Sequence, residues 1–271
     1  ITGNNDINLK IDWNNSEDDP TDYKGKILAS TKIYQKSTYD DPSFNITILP
    51  SQIIVNDSLW NINKSILKID STAFAINNFN INHGNQFFKV NGKISENPED
   101  SLFLGFGNID LSHVNLITKG KNLQFDGIIN GNANFSNIYK NPLFFSEIII
   151  DDLRLNNEAL GYTQISSTWI EKQKAIKVNA FTQPNGIKSM HISGDYIPED
   201  QTLDFGVTLN QMNLKILNPF LSSFAYDISG TSTGDVAIKG TLNKPVFNGS
   251  LYLEKSEMTI DYIKTKYFFS T

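Results

Sequence analysis

Side chains along this chain alternate between apolar and polar with a period of two. That pattern dictates extended backbone, because only in a strand do successive residues point to opposite faces. Leu203, Phe205, Val207 and Leu209 are separated by Asp204, Gly206 and Thr208, and Phe79 and Ile81 are set among Asn78, Asn80 and Asn82. Each such run has one dry face and one wet face. Clusters rich in Asp, Asn, Ser and Pro at 14–20, 39–43, 95–100, 182–186 and 197–201 separate the runs and predict turns between successive antiparallel strands. The one stretch with helical spacing is 213–227, where Pro219 is placed to start a short helix. The expected fold class is therefore all-β. A dry strand face must be hidden in a sandwich, in a closed barrel, or in an open curved sheet whose trough something else fills.

Composition narrows the partners. Charged residues make up 19% of the 271 and hydrophobic ones 39%, so Asn, Ser and Thr supply much of the wet face. The net charge of −6 argues against nucleic acid, whose phosphates call for clustered Lys and Arg. Cysteine is absent, which removes disulfides, thiolate metal sites and a Cys nucleophile. The first residues lack the pattern of a signal peptide, and no apolar run reaches the roughly 18 residues of a membrane span. Opening without Met and closing on YFFST, the chain is expected to be a piece of a longer protein.

One passage is written twice. Gly127, Gly131, Pro142 and Phe144 stand 103 residues before Gly230, Gly234, Pro245 and Phe247. At the same separation Ala133 and Phe135 fall on Val236 and Ile238, and Ile148, Ile150 and Leu155 on Leu251, Leu253 and Met258. Residues 90–116 resemble 192–214 more loosely. The reading is one continuous segment, 1–271, that contains repeat units at about 90–165 and 192–271. If the apolar positions line an open trough, its wall comprises Ala133, Phe135, Phe144, Ile148, Ile150, Leu203, Phe205, Val207, Leu209, Val236, Ile238, Phe247, Leu251 and Leu253.

Nothing points to catalysis. His83, His113 and His191 stand far apart with no ligand-spaced partner, so neither a metal site nor a cofactor is expected. Paired acids such as Asp18 and Asp19 or Glu199 and Asp200 fall in predicted turns, where solvated carboxylates are the rule. No nucleophile elbow or phosphate-binding glycine loop is present, and the chain is expected not to be an enzyme.

The stretch 48–96, with its NDSLW, INNF and NGKIS, and the ending GDVAIKGTLNKPVFNGSLYLEKSEMTIDYIKTKYFF resemble the C-terminal part of TamB proteins of the Bacteroidetes type, the translocation and assembly module relatives of AsmA-like proteins. That resemblance covers nearly the whole chain. It implies an elongated U-shaped β-sheet, a β-taco, with an apolar groove inside. It also implies a periplasmic location within an inner-membrane-anchored protein that reaches the outer membrane. The function it implies is conduction of phospholipids, whose acyl chains would be the cargo, in support of outer-membrane biogenesis. The implied protein partner is of the Omp85 class, TamA or BamA, met at or beyond the end of this chain. An alternative is a scaffold for outer-membrane protein assembly that accepts strands at a sheet edge. A further one is a carbohydrate-binding β-sandwich using exposed Trp13, Trp60 and Trp169. Shape separates this last reading from the first two, since about 25 strands at roughly 4.8 Å would span about 120 Å, against a radius of gyration near 18 Å for a compact globule.

Overall fold

A computed structural model describes residues 5–15, 23–35, 41–118, 123–137 and 143–269. Most of the turn expected at 14–20 and the first two residues of that expected at 39–43 fall outside them. The chain is all-β, and 18 strands belong to one antiparallel sheet. The chain divides into two compact units. The first comprises 1–109 and 130–145, and the second comprises 110–129 and 146–271.

In the first unit, β1 (Asn5–Asn14) pairs with β2 (Lys24–Tyr34). β2 in turn faces both β3 (Ser43–Ile48) and β4 (Ser51–Val55), which occupy one rank of the sheet. Pro50 interrupts that rank because it has no N–H to give to the ladder. The Ser51 hydroxyl bridges the gap, accepting from the Leu28 N–H (3.1 Å) and donating to the Leu49 carbonyl (2.8 Å). The next rank is split in the same way between β5 (Ser58–Ile62), paired with β4, and β6 (Ser65–Ile69), paired with β3. Both halves meet β7 (Ala73–His83), followed by β8 (Gln86–Ser95) and β9 (Ser101–Asp110).

After β9 a 3-10 turn, Leu111–Val114, runs into the short helix α1 (Asn115–Thr118). The strands β10 (Phe125–Ser136), β11 (Leu143–Leu155) and β12 (Glu158–Ile170) follow, the first two passing through both units. The second unit continues with β13 (Ala175–Gln183), β14 (Met190–Ile197) and β15 (Thr202–Asn213), each antiparallel to the one before. A second 3-10 turn, Leu214–Leu217, leads into α2 (Asn218–Leu221), where Pro219 lies in the first turn as its fixed φ favours. β16 (Ala225–Thr241), β17 (Lys244–Ile260) and β18 (Thr265–Phe269) complete the sheet.

Two expectations need correction. Among the described residues the strands number 18 rather than about 25, because many are longer than the usual ~5–6 residues, with β16 and β17 reaching 17 each. A second helical segment, 111–118, stands beside the one expected at 213–227. It lacks a proline to announce it, and its aliphatic run LSHVNLIT reads equally well as strand.

The 103-residue separation recurs in the backbone. Asp110 and Asn213 both cap their 3-10 turns, accepting from the N–H of Ser112 and of Lys215. Leu111 and Leu214, the first residues of those turns, are both buried. Asn115 and Asn218 each make the same double clamp: Nδ2 donates to the carbonyl of Phe125 or Ile228 (2.9 and 3.0 Å), and Oδ1 accepts from the N–H of that same residue (2.7 and 2.9 Å). Positive φ marks Asn108 and Gln211, and again Asp152 and Lys255; at Gln211 and Lys255 the pairing register also shifts, as a strand does where it takes an extra residue. Gly127 and Gly230 cross the neighbouring strand so closely that an added Cβ would meet the Cα of Leu153 at 3.2 Å and of Ser256 at 2.5 Å.

Candidate functional site: the apolar face

Directly paired residues in an antiparallel sheet project to the same face, so the registers define rows of side chains. In the second unit Val178, Gly194, Phe205, Ile238 and Phe247 form one row across β13–β17. The adjoining row is Ile165, Ala180, Ile192, Val207, Val236 and Gly249. Met190, Leu209 and Leu251 lie in the row beyond. Every expected trough residue of β15, β16 and β17 therefore lies on one face: Leu203, Phe205, Val207, Leu209, Val236, Ile238, Phe247, Leu251 and Leu253.

The opposite face is polar and holds its own cross-strand pairs. Thr208 donates to Asp235 (2.8 Å), and Lys239 lies 3.3 Å from Asp204. Both members of the ion pair are exposed, so it contributes at most about 1 kcal/mol. The burial pattern agrees with the two faces: along β15 the apolar positions are buried or half-buried, and Asp204, Gly206 and Thr208 are exposed.

The first unit is built alike. Ile7, Thr31, Ile46, Leu67, Ile76, Gly92 and Leu102 form a row across seven strands, and Ile62, Ile81, Phe88 and Phe106 form another. Ala133, Phe135 and Phe144 belong to this unit. The rings of Phe135 and Phe144 stand 4.9 Å apart, and Phe135 and Phe144 lie 103 residues before Ile238 and Phe247, which are paired. The other face carries Asp12, Lys26, Gln52, Asn61 and Asn82 in one row, along an open cleft of about 1030 Å³.

Part of the dry face is filled by the chain itself. Ile150, Leu153, Leu155 and Leu160 make a core with Leu111 and Met212, against which Ile148, Leu209 and Met190 pack. Leu214, Ala225 and Ile228 form a second cluster that takes in Leu253 and Met258. Each cluster is closed by the leucine that opens a 3-10 turn. The rows between are less covered, and Phe247 is 65% exposed.

The middle of the face, Ile165, Val178, Ala180 and Ile192, was not among the expected residues. The alternation in IKVNA could have found Val178 and Ala180. Trp60 corrects another expectation, being 6% exposed within the dry face, where its register partner is Ile53. It offers no platform to a sugar. The Trp169 indole N–H is already engaged by the Glu171 carboxylate (2.8 Å).

Among the described residues, no cluster of three or more His, Asp or Glu could hold a metal ion, and no helix is long and apolar enough to cross a membrane. Comparison of the chain with protein-family models, with curated proteins and with solved structures finds no match.

Proposed function

We propose that the chain is a segment of a TamB-like bridge that conducts phospholipids across the periplasm, its apolar face forming the inner wall of a β-taco groove. The observation that carries this reading is the row structure: apolar side chains lie in register from strand to strand, backed by a polar face. Exposing an acyl chain of about sixteen carbons to water costs roughly 12 kcal/mol at about 0.8 per methylene. A strip of interchangeable Ile, Leu, Val and Phe lowers that barrier without binding any one lipid tightly, and it needs no catalytic residues, cofactor or metal. Its protein partner would be of the Omp85 class.

The reading is tested by native mass spectrometry of the chain purified from Gram-negative envelopes, with an acid placed on either face. Phospholipid is expected to accompany the wild type and Ala237→Asp, whose side chain lies on the polar face, and to be lost from Ile238→Asp. Equal retention by both variants would contradict the reading. A second reading, the scaffold for outer-membrane strands, is favoured by one feature. β18 pairs with Ser256–Ile260 of β17, and the part of β17 before them, from Lys244 to Tyr252, is exposed, as a stretch that accepts an incoming strand would be.

A further inference from the structure

Two connections meet in the second unit, and both carry large apolar side chains into solvent. Phe220 in α2 and Phe224 just after it are 58% and 59% exposed, and Tyr262 in the β17–β18 turn is 94% exposed, with Ile263 beside it. The main chain ties the loops together: the Asp261 N–H donates to the Phe224 carbonyl (2.9 Å), and Ala225 pairs with Ile260. Behind them lies the cluster of Leu214, Ala225 and Ile228 that takes in Leu253 and Met258 of the apolar face. The exposed patch therefore continues that face outward. The repeated framework does not require it, since the positions 103 residues earlier hold Ile117, Lys121 and Ala159.

The charges around the patch indicate what covers it. Lys264 is paired with Asp261 and Lys266 with Glu257, and the Lys264 Nζ also stands 5.6 Å from the centre of the Tyr226 ring. These pairs leave no net charge to select a strongly acidic or basic surface. Phe and Tyr at loop tips, with lysines alongside them, match the headgroup level of a bilayer, where aromatic rings take the interface and lysine stems lie along apolar surface with their ammonium groups in water.

We propose that these two loops dock the second unit on a phospholipid bilayer by inserting Phe220, Phe224 and Tyr262, through apolar contact rather than net charge. The proposal rests on the lipid-conducting reading, to which it adds the place where the apolar face meets a membrane.

The chain has no cysteine, so a single one accepts an environment-sensitive fluorophore without background. Tyr262→Cys, Phe224→Cys and, as the counterpart in the other repeat, Ala159→Cys are labelled and mixed with phosphatidylcholine vesicles, plain or with brominated acyl chains. The expected result is a blue shift and bromine quenching at 262 and 224, unchanged by 0.5 M salt, and no change at 159. Phe220→Ser with Phe224→Ser should lower vesicle binding about tenfold or more. No shift at 262 and 224 would overturn the proposal. So would a shift that needs only higher protein concentration without vesicles, which would make the occupant a second copy of the chain. Phospholipid retention by the Ala237→Asp and Ile238→Asp pair reads the conducting face separately, so the two ideas can fail independently.

Discussion

The segment around β11 and the segment around β17 follow one template, yet the corresponding phenylalanines differ. Phe144 is half-buried and packs on Phe135, whereas Phe247 is 65% exposed. The difference lies in the next strand. β12 runs for 13 residues beside β11, while β18 has five and reaches only the last part of β17. Capped turn, Asn clamp, close-packed glycine and positive-φ residue recur because backbone geometry demands them. How far a side chain is covered depends on its neighbour, so one template yields both core and open surface.

The largest effect expected from breaking the template is at its glycines. Gly230 has φ 97°, and an added Cβ would meet the Ser256 Cα at 2.5 Å. The nearest contact at Gly127 is 2.8 Å, to the Asp151 carbonyl. Gly230→Ala should cost about 3 kcal/mol or more in urea unfolding, and Gly127→Ala somewhat less. Equal, negligible losses would mean that the close crossing is not needed. The clamps come next. Asn218→Ala leaves the N–H of buried Ile228 without its partner and should cost about 2 kcal/mol, whereas Asn115→Ala should cost nearer 1, since Phe125 is only half-buried.

A smaller effect, opposite in sign, is expected at Ser232, which stands where the first repeat has Ile129. Its hydroxyl is buried without a hydrogen-bond partner, so Ser232→Ala should leave stability unchanged or raise it by up to about 1 kcal/mol.

The smallest separates the β8–β9 turn from its counterpart. The Lys93 ammonium, then the Ser95 hydroxyl, holds Asp100 below the usual carboxylate range, while the equivalent position is Leu203. A folded-state pKa lowered in this way adds stability above the unfolded value, and that stability is lost as pH falls through the lowered folded value. Lys93→Ala should move the Asp100 titration upward by NMR with little change in melting temperature.

Much of the fold was legible because alternation is local: the wet and dry residues of β15 could be assigned from Leu203 to Leu209 alone. The 103-residue separation matched Phe144 to Phe247 in sequence, and their coverage differs. What could not be read was set by partners distant in sequence. Nothing near Ile150 says that Leu111 and Met212 will bury it, and nothing near Phe247 says that it will be left open. The α1 segment was missed for a related reason, since its start depends on the Asp110 cap and the Asn115 clamp rather than on a helical stripe.

The most direct measurement places a photo-crosslinking residue at Phe247 and, in a separate variant, at Asn248, and identifies by mass spectrometry what each captures in living Gram-negative envelopes. A lipid-conducting face requires phospholipid at 247 and none at 248. Polypeptide at 247 would point to the assembly scaffold, and crosslinks from 247 only to its own chain would contradict lipid conduction.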